Sequence, residues 1–290
     1  MSSLNRVLAL LAALALPLPS PALAAAPATV EAVQAPVWRD RGDITVPLTP
    51  GMELRSGDVL RTGPGARAYL MLAEGSRVKL GESGRFAFHS RSLRPERAFR
   101  GALDVLAGAF RYTTAGLNKA MSRNLVIRVG TATIGIRGTD LWGRTRPEGD
   151  MVALVEGRIE ITRAGQTTEM TQAMTYFDAP RGQAAAVKEL DPDYFRGLAR
   201  ETEILAGDGA ARSSGAWRVL AGTVASEGEA LELYDRIREA GFAARIRPVK
   251  GESQGWRYEI LLRGFSSAAE AEAAAARLKT ATSLKTTVLR

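Results

Sequence analysis

The chain has 290 residues, with 39 Lys and Arg against 31 Asp and Glu, so its formal charge is +8. It has no Cys and a single His, His89, which excludes disulfides, thiol nucleophiles, Cys-type zinc sites and multi-histidine metal sites. Its composition, 46% hydrophobic and 24% charged, is that of a globular protein. At roughly 150 residues per domain, the length predicts two folded units. The basic excess predicts an anionic partner without identifying it.

The first 24 residues have the pattern of a secretory signal peptide. Arg6 is followed by the apolar run 7–16, and the small residues at 22–24 form an A-x-A cleavage site. The apolar run is shorter than the roughly 20 residues that a bilayer requires. We therefore predict cleavage after Ala24 and a periplasmic protein with no transmembrane segment, which argues against nucleic acid as the partner. An uncleaved membrane anchor is the alternative.

Residues 30–187 have the pattern of an all-β domain. Apolar and polar residues alternate in short runs, as at Leu125, Ile127 and Val129, and Gly-containing turns separate the runs at spacings of about 8 to 12 residues. No long helical stripe interrupts them. The pattern predicts a solenoid, a barrel or a sandwich and does not distinguish among them.

The segment 188–214 is predicted to be a helix followed by a flexible linker. Asp191 can cap a helix that begins at Pro192. A partial apolar face is formed by Tyr194, Leu198, Ile204 and Leu205. Small and polar residues then lead into the last module.

Residues 215–290 have the element order βαββαβ, which predicts an α+β, ferredoxin-like domain of about 75 residues. The predicted strands are 217–222, 243–248, 256–263 and 286–289, and the predicted helices are 227–240 and 266–279. Two helices then cover one face of an antiparallel sheet and leave the other face open.

Alternation along these strands assigns each side chain to one face. The helices are expected to cover Val219, Ala221, Ile246, Ile260 and Leu262. The open face is expected to hold Arg218, Leu220, Arg245, Arg247, Arg257, Glu259, Leu261 and Arg263. Guanidinium groups pair carboxylates in a bidentate fashion, so an anionic, partly apolar polymer suits this face. The alternative is that the arginines only keep an exposed sheet soluble.

A second basic cluster lies in residues 85–100. It contains Arg85, His89, Arg91, Arg94, Arg97 and Arg100, with Glu96 as its one acidic member. It could contact anionic envelope polymers. We favour the alternative interpretation, a solvated loop between two strands.

No catalytic constellation is recognisable, so we predict a protein that is not an enzyme and has no catalytic residues, no metal and no cofactor. A Ser-His-Asp triad would have to use His89, and no Gly-x-Ser-x-Gly elbow is present. Carboxylate pairs such as Asp40 with Asp43, or Glu201 with Glu203, leave a cell-wall hydrolase as a disfavoured alternative.

The β-rich region resembles the FecR domain. The motifs that carry this resemblance are GDVLRTG at 57–63, AYLMLAEGS at 68–76, LAGAF at 106–110, TIGIRGTD at 133–140 and VEGRI at 155–159. The resemblance covers roughly 51–173 and implies an all-β, non-catalytic periplasmic module. In its best-known setting such a module relays the occupancy of an outer-membrane receptor to a sigma factor. This sequence departs from that setting because it has no internal transmembrane helix.

The last 75 residues or so resemble the SPOR domain, which binds septal peptidoglycan. WRVLAGT at 217–223 and YEILLRGF at 258–265 carry the resemblance. Leu220 stands where the family usually has Gln, and Arg263 stands where it often has Gly. The resemblance implies a peptidoglycan-binding face, for which the candidate residues are Arg218, Leu220, Arg245, Arg247, Leu261 and Arg263.

Together these features predict an exported two-module adaptor. The SPOR-like module would bind peptidoglycan, with enrichment at the septum. The FecR-like module would present a β surface to an envelope protein or an anionic polysaccharide. The alternative from another class is a periplasmic sensor that relays envelope state to a partner.

Overall fold

The computed structural model describes residues 26–91, 98–114, 122–251 and 255–290. The predicted signal peptide, 1–24, lies outside these residues. The strands before the first helix are β1 (Ala28–Gln34), β2 (Val37–Arg41), β3 (Ile44–Pro47), β4 (Glu53–Leu54), β5 (Val59–Thr62), β6 (Arg67–Leu72), β7 (Arg77–Leu80), β8 (Arg85–Ser90), β9 (Ala98–Thr113), β10 (Ser122–Val129), β11 (Ala132–Arg146), β12 (Gly149–Arg163), β13 (Gln166–Met170), β14 (Thr175–Pro180) and β15 (Ala186–Glu189).

These strands form two sheets that share three long strands, β9, β11 and β12. One sheet has the order β13-β12-β11-β10-β9-β8-β5-β2-β3. The other has the order β15-β14-β12-β11-β9-β7-β6-β1, with β4 also paired to β1. All of these pairs are antiparallel except β9 with β10. The predicted all-β region is therefore a two-layer structure whose layers are joined through shared strands.

One hydrophobic core fills the space between the two layers. Strand alternation supplies it, because every second side chain of a strand points to the same face. Its largest fully buried side chains are Phe86, Phe99, Phe110, Leu48, Leu54, Leu60, Leu70, Leu80, Ile127 and Ile134. Each such side chain contributes about 1.5–3 kcal/mol when it leaves water.

Glycines lie where the shared strands pass from one sheet to the other. In β11 and β12 the register shifts next to Gly138 and Gly157, whose φ angles are +62° and +91°. A methyl carbon on Gly157 would lie 2.1 Å from the carbonyl oxygen of Gly138. In β9 the corresponding position is Gly108, with φ +89°. Only glycine combines positive φ with such close backbone approach.

Other motif residues form hydrogen bonds with backbone groups near turns and near the points where a strand passes between the sheets. The Thr139 hydroxyl, beside Gly138, donates a 2.9 Å hydrogen bond to the carbonyl of Arg158. Asp58 is fully buried and accepts hydrogen bonds from the Arg55 backbone N–H (2.8 Å) and from the Arg41 guanidinium (2.6 and 2.8 Å). These residues of the FecR-like motifs therefore hold strands and turns in place.

Helix α1 (Pro192–Arg200) covers part of the outer face of the second sheet. The Asp191 carboxylate caps it as predicted, accepting from the backbone N–H groups of residues 193 and 194 at 2.9 Å each. Leu198 packs into a small cluster around buried Trp142. The helix ends before Ile204 and Leu205, so these two residues are not on its apolar face, and Leu205 is 56% exposed.

The C-terminal module has the predicted order of strands and helices. Its elements are β17 (Trp217–Val224), α2 (Glu227–Glu239), β18 (Ala244–Lys250), β19 (Trp256–Phe265), α3 (Ala268–Thr282) and β20 (Thr287–Leu289). The antiparallel sheet has the order β18-β19-β17-β20. Its core lies between the sheet and the two helices and includes Val219, Ala221, Ala230, Ile237, Phe242, Ile260, Leu262, Ala271 and Leu278.

The predicted flexible linker instead contains a strand shared by the two modules, β16 (Ala210–Arg212). β16 pairs with β1 of the first module and, through Ala211, with Phe265 at the end of β19. The buried Glu270 carboxylate of α3 accepts hydrogen bonds from the backbone N–H groups of Gly207 (3.0 Å), Gly209 (2.6 Å) and Ala210 (2.8 Å). The segment is therefore held by both modules.

A second contact joins the modules at the end of α2. Gly241 lies against Pro36 and Trp38, and its carbonyl accepts a 3.2 Å hydrogen bond from the Val37 N–H. Nearby, Arg238 donates to the Thr45 carbonyl at 2.9 Å. The modules are therefore in contact at β1, through β16, and at β2 and β3, through the end of α2.

The close approach at the corner glycine can be tested by comparing two substitutions. Gly157→Ala should destabilise the protein by about 1–3 kcal/mol more than Gly165→Ala, because overpacking adds to the cost of positive φ only at Gly157. Gly165 has φ +79° and open space around its Cα. Equal losses in urea unfolding followed by circular dichroism would contradict this account.

The Glu270 contact can be tested on a single helix. Glu270→Ala removes a charged acceptor from three backbone N–H groups and should lower the free energy of unfolding by about 2–4 kcal/mol. Glu272→Ala, at an exposed position of the same helix, should change it by less than about 0.5 kcal/mol. Thermal unfolding of both variants measures the difference, and a Glu270→Ala variant as stable as Glu272→Ala would refute the role of this carboxylate.

Candidate functional site

The open face of the C-terminal sheet carries the predicted arginine cluster. The five residues predicted to face the helices, Val219, Ala221, Ile246, Ile260 and Leu262, do pack in or against the core of that side. Strand register then places the remaining residues side by side on the opposite face: Arg218 opposite Arg263, Leu220 and Arg245 opposite Leu261, and Arg247 opposite Glu259. The sheet thus brings the six candidate binding residues together.

Most of the positive charge on this face is not neutralised. Arg247 Nε donates a 2.9 Å hydrogen bond to the Glu259 carboxylate. Arg218 donates to the backbone oxygen of Arg290. Arg245, Arg257 and Arg263 are exposed, and within the described part of the chain none of them forms an ion pair. The face can therefore attract carboxylates.

Leu261 differs from its prediction. It lies on the open face by register, but it is only 2% exposed. β19 is flanked by β17 and β18, so Leu220 and Arg245 stand on either side of Leu261. We therefore correct its assignment from a binding residue to part of the support beneath the arginines. Leu220 is half-buried and keeps part of its surface accessible.

The open face continues into a pocket at the junction of the modules, with a volume of about 270 Å³. Arg245 and Arg263 line one side, Arg212 of β16 lines another, and Leu48 and Pro50 belong to the first module. Strand alternation within one module could not reveal this pocket, because its walls come from segments about 200 residues apart in sequence.

Of the four acids considered for hydrolysis, Glu201, Glu203 and Asp40 are held by basic side chains. Glu201 accepts from Arg144 at 2.7 Å. Glu203 accepts from Lys79 Nζ at 2.5 and 2.7 Å and from the Tyr69 hydroxyl at 2.8 Å. These contacts attach the segment after α1 to the outer face of the second sheet.

Asp40, of the other acid pair, accepts from Arg61 at 2.7 and 3.0 Å, and this hydrogen-bonded pair lowers the pKa of the Asp40 carboxyl. A carboxyl that is kept ionised in this way is a poor general acid.

The electrostatics at Glu203 favour its ionised form. Burial by itself raises the pKa of Glu203, but the hydrogen bonds from Lys79 and Tyr69 and the charges of Lys79 and Arg111 outweigh it and hold the pKa below its ordinary value of 4.5. Burial and the neighbouring carboxylate raise the pKa of the Tyr69 hydroxyl. Tyr69 therefore stays a neutral donor to Glu203.

The second basic cluster lies partly outside the described residues, which omit Arg94 and Arg97. Arg85 and His89 are in β8. His89 Nε2 lies 3.4 Å from a carboxylate oxygen of Asp104, and Asp104 also accepts from Arg128 at 2.7 Å.

Across the described ranges, no group of three or more Asp, Glu or His side chains is arranged to hold a metal ion. None of the helices there is long and apolar enough to span a membrane.

Comparison with known families agrees with the sequence motifs. The model of the FecR protein family matches residues 58–160, and the model of the SPOR domain matches residues 213–290. The chain therefore carries a FecR region followed by a SPOR domain, which confirms the predicted arrangement. Both are families of non-catalytic binding or regulatory domains.

Among solved structures, the chain is similar to two crystal structures of a proposed anti-sigma factor from Parabacteroides distasonis ATCC 8503. One is 11% identical, with 67% of this chain and 95% of that chain covered and a TM-score of 0.41. The other is 10% identical, with 78% and 92% covered and a TM-score of 0.41. No curated protein sequence matches the chain.

The Glu203 contacts predict a pH-dependent contribution to stability. Because the folded-state pKa is depressed, the stabilisation is complete well above pH 4.5 and is lost as the pH falls through the folded-state pKa. Glu203→Gln should lower the free energy of unfolding by about 1–3 kcal/mol at neutral pH, and the difference from wild type should shrink in acid.

Denaturant unfolding of both proteins between about pH 3 and pH 7 measures this effect, because a carboxyl group changes its charge at the acid end of that range. Glu232→Gln, at an exposed position of α2, is the control and should follow wild type at every pH. A Glu203→Gln deficit that does not depend on pH would show that the ionised carboxylate is not what stabilises the segment.

Proposed function

We propose that this chain is an exported, non-catalytic envelope protein that binds peptidoglycan glycan strands through the open face of its SPOR domain. Its FecR region presents a β surface to a second ligand, an envelope protein or an anionic polysaccharide. The residues that contact the glycan are Arg218, Leu220, Arg245, Arg247 and Arg263. The proposed location is the periplasm, with enrichment at the septum, after removal of residues 1–24.

The uncompensated arginine face carries this proposal. Three exposed guanidinium groups on one small face, at Arg245, Arg257 and Arg263, form no ion pair within the described residues. Glycan strands without peptide branches carry lactyl carboxylates, which guanidinium groups pair in a planar, bidentate fashion. The SPOR family match supports the same ligand. The strand order β18-β19-β17-β20 with two helices on one face supports the ferredoxin-like plan that such domains use.

A periplasmic sensor that relays envelope state to a partner is the second candidate. The FecR family match favours it. The shared strand β16 also favours it, because a ligand on the SPOR face would act on a module attached directly to the FecR sheets. This candidate requires a partner contact that changes with ligand, whereas the adaptor does not.

Co-sedimentation with purified sacculi tests the arginine face. The double variant Arg245→Gln with Arg263→Gln removes two unpaired charges from the open face, and its apparent affinity should fall at least about tenfold, roughly the effect of one lost charge-assisted contact. The loss should be smaller at high salt, where exposed charges are screened.

The matched control removes two charges elsewhere. Lys279 is exposed on α3, and Arg55 is exposed in the FecR region. Replacing both by Gln should leave sedimentation unchanged. Equal losses in the two double variants would mean that net charge, and not this face, controls binding.

A further inference from the structure

The outer face of the first sheet carries a shallow trough across strands β8, β9 and β10. Its volume of about 740 Å³ lies within the range of ligand sites, roughly 300–1,000 Å³. Its basic lining members, among the described residues, are His89, Arg91, Arg100 and Arg128. The first three belong to the second basic cluster of the sequence. The structure therefore places part of that cluster on a sheet, in or next to β8 and β9.

Small side chains form the floor of the trough. Ala102 of β9 is paired with Val126 of β10, and Val126 is paired in turn with Gly135 of β11. The next residues along β9 and β10, Leu103 and Ile127, point the other way and are buried in the core. Because successive side chains alternate between the two faces of a sheet, this row of small residues lies on the outer face.

Polar side chains rise on both sides of this floor. Two residues from Ala102 in one direction, Arg100 is paired with Asn124, and two residues in the other direction, Asp104 is paired with Arg128. Four residues along a strand span about 13 Å. Arg91 belongs to the first side, since its N–H donates a 2.9 Å hydrogen bond to the Arg100 carbonyl. A chain-like ligand laid across the strands would meet guanidinium groups on both sides.

Positive charge exceeds negative charge around the trough. Among the described residues that line it, none is acidic. Asp104 stands beside it and accepts hydrogen bonds from Arg128 at 2.7 and 3.1 Å, with His89 Nε2 at 3.4 Å. Arg91 is exposed and forms no ion pair within the described ranges. A concave surface with this charge balance attracts anions.

The lining favours a hydrophilic chain over a membrane or a protein. None of the large hydrophobic side chains that are exposed in the described part of the protein lines the trough. Stable contact with a membrane surface combines basic groups with apolar side chains that insert, and protein interfaces usually centre on aromatic or apolar anchors. The Asn124 amide and the Ser56 hydroxyl line the trough and can form hydrogen bonds with sugar hydroxyl groups.

We propose that this trough binds an anionic polysaccharide whose sugars carry carboxylates, and that Arg91 and Arg128 pair with carboxylates on opposite sides of the floor. A guanidinium group pairs a carboxylate in a planar, bidentate fashion. The polysaccharide would cross the strands over Ala102 and Val126. The inference rests on the proposed function, because it names the second ligand and the surface of the FecR region that binds it.

Calorimetric titration with hexagalacturonate, a short chain of carboxylated sugars, tests the proposal. The titrated protein is the full chain carrying Arg245→Gln with Arg263→Gln, so that the open face of the SPOR domain contributes less. Hexagalacturonate should bind saturably, and its methyl ester, the same chain without the charges, should bind at least tenfold more weakly. No saturable binding of the acid, or equal binding of acid and ester, would overturn the proposal.

Two double variants in the same background locate the binding. Arg91→Gln with Arg128→Gln removes one charge from each side of the trough and should weaken hexagalacturonate at least about tenfold. Arg181→Gln with Arg196→Gln removes two exposed charges beside the second sheet and should leave the affinity unchanged. Equal losses in the two double variants would overturn the assignment to the trough.

The floor provides a second test that leaves the arginines in place. Val126 is half-buried, so Val126→Glu and Val126→Gln add side chains of nearly the same shape at the same point. The Glu variant should bind hexagalacturonate at least tenfold more weakly than the Gln variant, because only Glu adds a negative charge. Thermal unfolding verifies that both variants are folded. Equal affinities would contradict a carboxylated chain lying over Val126.

Two further measurements separate this proposal from its neighbours. Binding to phosphatidylglycerol vesicles without binding of hexagalacturonate would assign the trough to a lipid surface and overturn the proposal. Loss of sacculus binding by Arg245→Gln with Arg263→Gln concerns the open face and leaves the hexagalacturonate result standing. Conversely, a chain that binds sacculi and not hexagalacturonate would retain the proposed peptidoglycan contact and refute the trough as a polysaccharide site.

Discussion

The structure depends on how one buried carboxylate holds the chain between its two modules. Glu270 is 7% exposed and receives three backbone N–H groups from the segment that becomes β16. A carboxyl group so far from water is tolerated because those donors replace its hydrogen bonds to water. Once the segment is held there, Ala211 pairs with both β1 and β19. The same segment also lines the pocket at the junction, through Gly209, Ala211 and Arg212.

Backbone geometry has a comparable role inside the FecR region. Each of the long strands β9, β11 and β12 serves two sheets, and such a strand must bend without losing its partners. Gly157 makes the bend possible because its backbone approaches the Gly138 carbonyl more closely than a Cβ would allow, and Gly138 supplies a positive φ. Two motif residues, Thr139 beside Gly138 and Asp58 just before β5, have all or most of their polar groups engaged within the protein. The FecR motif residues therefore have structural roles, and a second ligand would be recognised by the surfaces between the motifs.

The sequence could predict what depends on local periodicity and family motifs. The two modules, the Asp191 cap, the order of strands and helices after 215 and the face of each SPOR strand residue needed only alternation and capping chemistry. Leu261 lies on the predicted face, but its burial could not be predicted, because the burial of a residue in a central strand depends on its neighbours across the sheet. The flexible linker failed because small, polar residues such as those around Gly209 indicate disorder unless a distant group binds them. Glu270 lies about 60 residues away, and nothing in its local sequence indicates that contact.

A fixed junction also changes what binding can accomplish. Two modules on a loose tether gain affinity for a polymer mainly through effective concentration. Here the arginine face and the FecR surface are parts of one body, so a polymer that contacts both encounters a single orientation. Folding has already ordered the two modules, so binding a polymer costs less conformational entropy than it would with a flexible linker. A ligand at the face can therefore influence the FecR region only through a second arrangement of the junction, and the hydrogen bonds of Glu270 to its three N–H donors are among the contacts such an arrangement would have to break.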